Sequence, residues 1–226
     1  MKRIQIQTDY VKLFALFAMT VDHIPKILFA EGFLNDTIGR MAFPLFSFLI
    51  IQNFHQLRPI GKYLFRLGFF GLLTYALLYP FNAIGNNVLA EFFWTLLFIE
   101  ACEQFCSRIK TLYWQVYWLG LLFLMILPFI MISDYNILGF FFIISLYAYM
   151  KNKTKLNYLA VLVCAGMLNF TGVLPVLSTL ITVIALLSFV EIKGGKRLIK
   201  WWGFYLYYPL HQVLLHSLRA LFYTGV

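Results

Sequence analysis

The stretch VKLFALFAMTVDHIPKILFA, residues 11–30, decides the fold. At about 1.5 Å of rise per residue it makes a helix about as long as the hydrocarbon core of a bilayer is thick. It is too long for the core of a signal peptide and has no small-x-small cleavage pattern, so it is expected to remain as a first membrane span. Near its middle stand Asp22 and His23. A titratable group inside hydrocarbon costs several kcal/mol on most scales, which makes such a residue a functional candidate by default.

Outward from this stretch the pattern repeats. Apolar runs separated by short polar punctuation predict further spans at Ile38–Phe54, Lys62–Phe81, Val88–Phe105, Leu112–Ile132, Ile137–Met150, Leu156–Phe170, Val173–Val190 and Trp201–Tyr223. The expected fold is all-α: a polytopic transmembrane helical bundle of about nine spans, forming one domain over residues 1–226. With 62% hydrophobic, 19% aromatic and 12% charged residues, the chain has no polar segment long enough to build a separate water-soluble core. The runs Ile137–Met150 and Leu156–Phe170 are the shortest, and either could be re-entrant.

The formal charge of +9 would suggest nucleic acid in a soluble protein. Here the basic residues fall in alternate loops, so the charge reads as membrane orientation and no nucleic-acid partner is expected. Lys2, Arg3 and Lys12 lie on one side with Arg58, Lys62 and Arg66, with Arg108 and Lys110, with Lys151, Lys153 and Lys155, and with Lys193, Lys196, Arg197 and Lys200. The intervening loops are nearly free of Lys and Arg. This predicts a cytoplasmic N-terminus and an outward C-terminus, with Lys26, Arg40 and Arg219 outside the pattern. Cys102, Cys106 and Cys164 are odd in number and lie in apolar runs, so neither a disulfide framework nor a metal site is expected.

His211 is the counterpart of His23 in the last run. Each histidine lies roughly 16 Å of helix beyond a cytoplasmic lysine, Lys12 or Lys200, so both should stand at one depth. If the first and last spans meet, two imidazoles could share a proton path; otherwise each packs against a neighbouring helix through a hydrogen bond. Asp22 and His23 are consecutive and point about 100° apart around the helix, so they need different partners. The partner expected for Asp22 is Arg40, either as a purely structural ion pair or with guanidinium donors to spare for an acyl carbonyl or phosphate. Pro25, Pro44 and Pro209 stand near the three polar candidates and suggest interrupted helices. Glu91 reads as interfacial, and Glu100 as a partner for a basic residue or a weaker catalytic candidate. Glycine-rich phosphate loops, Gly-x-Ser-x-Gly elbows and His-Glu-x-x-His motifs are missing, so an enzyme built on this chain would work within the membrane.

Several of these residues belong to a wider pattern: Asp22-His23-Ile24, Ile38-Gly39-Arg40-Met41-Ala42-Phe43-Pro44, Lys62-Tyr63-Leu64-Phe65-Arg66-Leu67 and Tyr79-Pro80-Phe81-Asn82. It continues through Asn87-Val88, Thr95-Leu96-Leu97, Asp134-Tyr135, Lys196-Arg197 and Phe204-Tyr205-Leu206-Tyr207-Tyr208-Pro209-Leu210-His211. In this order the chain resembles the TraX family of conjugative pilin N-acetylases, which is similar to the type-three membrane acyltransferases. Phe98 or Ile99 stands where that family usually has a glycine, and Glu91 is unusual for it.

The resemblance implies an enzyme of a bacterial cytoplasmic membrane, an acetyltransferase with acetyl-CoA as co-substrate. The acceptor would be a pilin or other secreted peptide, or, in an alternative reading, a cell-envelope glycan. It implies His23 as general base, Arg40 as the group orienting the acyl carbonyl, His211 as a second proton site or hydrogen-bond partner, and Asp22 positioning Arg40. Lys62, Arg66, Lys196 and Arg197 would meet the phosphates of acyl-CoA, unless they serve only the charge bias of the loops. A reading of another class, a small proton-coupled transporter or channel, would use the same intramembrane residues.

Overall fold

The structure, a computed structural model, describes residues 4–29, 32–56, 59–83, 87–170, 172–194 and 198–223. Strand β1 (Ile4–Gln7) leads into α1 (Thr8–Leu28), a one-turn α2 (Phe33–Asp36) and a 3-10 turn, Gly39–Met41, that opens α3 (Ala42–Gln56). Next come α4 (Gly61–Leu78), α5 (Val88–Arg108), α6 (Leu112–Met131), α7 (Asn136–Lys151) and α8 (Lys155–Leu168). Helix α9 (Val173–Ile184) widens into a π turn at Ala185–Phe189, and β2 (Val190–Lys193) and α10 (Trp201–Tyr223) follow. Among the described residues, nine helices have twelve residues or more, and each falls on one of the nine apolar runs.

The chain is all-α apart from one short ribbon: β1 pairs in parallel with β2, Ile4 opposite Val190 through Gln7 opposite Lys193. Phe33–Gln56, Gly61–Phe81 and Leu112–Met131 are long and apolar enough to cross a membrane, and Asn136–Lys151, Lys155–Leu168 and Val173–Phe189 are shorter apolar helices. Helix α6 has a mean hydropathy of 1.8 and still exposes Leu121, Leu124 and Met125, as a lipid-facing helix does. The protein is a multi-pass membrane protein.

Helix ends follow local chemistry. Asn87 caps α5 by accepting from the Ala90 N–H at 3.2 Å, and its amide donates to the Gly71 carbonyl of α4 at 2.8 Å. Thr154 caps α8 through the Asn157 N–H at 3.1 Å. Tyr79-Pro80-Phe81 form a 3-10 turn after α4, ended by Asn82 at φ 53°, a left-handed position that asparagine tolerates. Pro25 and Pro209 lie inside α1 and α10 as expected. Pro44 lies just past a change from 3-10 to α geometry. It sits in the first turn of α3, directly after the 3-10 turn that carries Arg40.

Contacts divide the chain into two compact units, one of residues 1–53 and 145–226 and one of residues 54–144. The first has a core of Val11 and Ala15 from α1, Leu45 and Leu49 from α3, Leu186 from the π turn and Ile192 from β2. The ribbon is fastened to it by hydrogen bonds from Thr8 Oγ1 to the Lys193 carbonyl, 2.9 Å, and from Gln52 Nε2 to the Ile192 carbonyl, 3.0 Å. In the second unit Ile126 and Ile130 of α6 pack on Phe140 of α7, with Trp94 and Phe98 of α5 against them.

Candidate functional site

The site of the first unit is built on α1 and α10. These helices run parallel, because contacts climb in step along both: Asp9 with Leu198, Lys12 over the Phe204 ring, Thr20 with Tyr207, and His23 with His211. At the ribbon end the Asp9 carboxylate accepts from the Leu198 N–H at 2.7 Å and from Lys12 Nζ at 3.0 Å. Asp9 precedes the first predicted span. Burial pushes its pKa up, but the Leu198 N–H and the Lys12 ammonium favour the charged form more strongly, and the net shift is downward.

Deeper along the pair, His23 Nδ1 and His211 Nε2 stand 2.6 Å apart. The ring planes differ by 9° and the centres lie 4.9 Å apart. Such a separation matches two ring radii plus one hydrogen bond, so the imidazoles meet edge to edge. Tyr207 lies flat against His211, 5.1 Å between centres and 13° between planes, while Tyr208 presents an edge to both histidines. His211 Nδ1 lies 2.9 Å from the Tyr207 carbonyl oxygen. Thr20 Oγ1 donates to the Leu16 carbonyl at 2.9 Å, which leaves Tyr207 to donate its hydroxyl proton to Thr20 at 2.7 Å.

Asp22 is buried and gathers partners from three elements. Lys26 Nζ, one turn on, lies 2.6 Å from Oδ2, and Arg40 Nη1 lies 3.7 Å from Oδ1. The Asn35 amide is assigned with nitrogen toward Asp22, donating to Oδ1 at 2.7 Å and to the backbone oxygen at 3.1 Å, since the opposite orientation points its oxygen at acceptors alone. Arg40 also reaches Asp36, 3.7 Å away. Gly39 makes this approach possible: a Cβ there would stand 3.0 Å from Cα and Cβ of Asp22 and would push the Arg40 turn off α1. The turn is held from the other side by Ser178 of α9, whose hydroxyl donates to the Thr37 carbonyl.

His23 Nε2 lies 4.0 Å from Asp22 Oδ2. This is beyond hydrogen-bond range, but an ion pair would form if Nε2 gained a proton. The structure thus gathers Asp22, His23, Arg40 and His211 into one buried cluster. Sequence reasoning missed three members. Lys26 carried a readable signal, its i,i+4 spacing from Asp22, and Tyr207 stood in the quoted stretch before His211 without a role, whereas Asn35 carried none. Gln212, beside His211, is buried, and its Oε1 has no hydrogen-bond partner among the described residues.

Of the four positions expected to meet acyl-CoA, Lys62 is exposed and Arg66 half-buried on the first two turns of α4, in the second unit. Lys196 and Arg197 lie outside the described residues, as does Arg58. Glu100 accepts from Gln104 Nε2 at 2.8 Å. Glu91, read as interfacial, lies in the first turn of α5. It is fully buried in the second unit, with Oε2 accepting from the Tyr135 N–H at 3.0 Å and Oε1 against Gly139, where any Cβ would collide with it. The turn joining α6 to α7 folds over the start of α5 and covers a residue that span position alone puts at a boundary.

The family model described as TraX protein matches residues 7–219, and the chain belongs to that family. A curated relative from Dichelobacter nodosus, named probable fimbrial assembly protein FimC, serogroup H1, is 26% identical over 239 residues, covering 96% of this chain and 98% of its own. No solved structure matches the chain.

Proposed function

We propose that this TraX-family protein is a membrane acetyltransferase that moves an acetyl group from acetyl-CoA to an amine of a pilin-like peptide. The observation that carries the reading is the buried contact of His23 with His211 beside the Asp22–Arg40 pair. It puts a base and a cationic hydrogen-bond donor in one water-poor cluster, the two functions acyl transfer asks of a protein.

In the proposed reaction the acceptor nitrogen attacks the thioester carbonyl. His23 takes the proton that the nitrogen sheds, Arg40 stabilises the negative charge growing on the carbonyl oxygen, the C–S bond breaks, and the coenzyme A thiolate leaves with the proton from His23. Asp22 holds Arg40 in place and balances the imidazolium that forms at His23. The donor's phosphates call for cations such as Lys196 and Arg197, which precede α10 in the sequence. The enzyme sits in a bacterial cytoplasmic membrane with its N-terminus in the cytoplasm, a reading supported by the alternation of basic loops. The pilin-like acceptor is supported by the family and by the fimbrial name of the relative, and is preferred over an envelope glycan on that ground.

The test is incubation of detergent-purified protein with radiolabelled acetyl-CoA and membranes, followed by separation of peptide from glycan. Label in a pilin-sized peptide is the expected result. Label in glycan would keep the chemistry and change the acceptor. Complete lack of transfer, with no rise in thermal midpoint on adding coenzyme A thioesters, would overturn the reading and favour a transporter.

A further inference from the structure

Resting on that acyl-transfer reading, the geometry assigns different work to the two histidines. A carbonyl oxygen can only accept a hydrogen bond, so at 2.9 Å from the Tyr207 oxygen it is Nδ1 of His211 that carries a proton. A neutral His211 then has a bare Nε2, which can only accept. Its contact at 2.6 Å must be supplied by a proton on Nδ1 of His23. A neutral His23 protonated at Nδ1 is bare at Nε2, the nitrogen that faces Asp22 at 4.0 Å without a hydrogen bond.

We propose that the Tyr207 carbonyl sets the tautomer of both imidazoles, so that Nε2 of His23 is the atom that takes the acceptor's proton and His211 is a positioning residue that carries none of the proton traffic. The chain of bonds runs one way, from His23 to His211 to a backbone oxygen that cannot pass a proton on. When Nε2 is protonated, its new charge lies beside the Asp22 carboxylate while the Nδ1 bond to His211 stays as it was. Tyr207 fixes the arrangement three times over: its carbonyl holds His211 Nδ1, its ring lies against the imidazole, and its hydroxyl ties α10 to Thr20 of α1. Nothing has to rotate for the proton to be accepted, which is the sense in which the site is pre-organised.

The experiment is nitrogen NMR of protein labelled with 15N-histidine, in mildly alkaline buffer, with signals assigned by single substitutions, alongside transfer assays of two variants. In the wild type, His23 should show a pyrrole-type Nδ1 and a pyridine-type Nε2, and His211 the same. His211→Gln places an amide oxygen near the lost Nε2, so it should keep the His23 pattern and transfer within about tenfold of wild type. His211→Ala should mix the His23 tautomers and lower kcat by about 10²-fold or more, with a smaller change in KM. A pyrrole-type Nε2 on His23 would overturn the assignment. So would a His211→Gln protein that is inserted, keeps the His23 spectrum and is as inactive as His211→Ala, because His211 would then have to carry the proton. If either variant fails to fold, the wild-type spectrum alone decides. Expected spectra in a wild type that transfers no acetyl group would refute the acetyltransferase and leave the tautomers standing.

Discussion

The two units each bury a carboxylate in a helix, and they treat it in opposite ways. Asp22 in the first lies between Lys26 and Arg40 and takes the Asn35 amide, so every oxygen has a donor and the local charge is balanced. The Glu91 carboxyl in the second receives one backbone hydrogen bond, from Tyr135, and its other oxygen has no partner among the described residues. An ion cluster is costly to assemble and more costly to break, since removing one member strands the others. A lone acid packed against a glycine is held by shape. The contrast says where charge matters to this molecule and where only volume does.

The largest effect should come from His23→Ala, which removes the base without touching the ion cluster. Transfer is expected to fall by about 10²–10⁴-fold in the radiolabel assay while the protein stays inserted and folded, its midpoint lowered less than by loss of Asp22. Full transfer by that variant would take His23 out of the chemistry. Asp22→Ala should damage both readouts, costing about 3–5 kcal/mol by leaving Lys26 and Arg40 without their counter-charge, seen as a lower midpoint in detergent.

In the second unit the order of sensitivity should invert, with space outranking charge. Gly139→Ala, whose Cβ would meet Glu91 and Tyr135 together, is expected to cost about 1–3 kcal/mol. Glu91→Gln keeps the size and the acceptor for Tyr135 and should cost under about 1 kcal/mol. If Glu91→Gln proved as harmful as Asp22→Ala, the contrast between the units would fail.

The smallest effect concerns pH. The folded pKa of Asp9 is depressed, so its contribution to stability is complete above the unfolded carboxylate range, about pH 5 and higher, and is lost as pH falls through the lowered folded value. Asp9→Asn should flatten that acid limb of the melting curve. An unaltered limb would place the sensitivity elsewhere.

Most of the architecture was legible because the bilayer demands it: an apolar run of the right length has little choice but to be a helix. The histidine pair was legible for the same reason, as rare polar residues at matched distances from basic anchors. The ribbon was not. Ile4–Gln7 alternates apolar and polar residues as a strand does, yet its partner lies about 186 positions away and four residues carry no pairing signal. Arg40 was legible as the partner of Asp22 because so few cations lie beyond the basic loops, whereas Lys26, one turn away, was set aside as an exception to the loop pattern. The burial of Glu91 was not legible, because span position reports depth in a membrane and is silent on what another turn of chain covers.

The parallel ribbon has a consequence for how the protein is made. Its first strand leaves the ribosome before any of the long helices, and its second is finished only after eight of the nine long helices among the described residues. Until then the imidazole of α1 has no mate, because His211 has not been synthesised. Ring closure of a chain this long grows dearer only with the logarithm of its length, so the delay is one of timing more than of free energy. A ribosome stalled before residue 211 would leave a chain in which the contact of His23 with its partner ring cannot form.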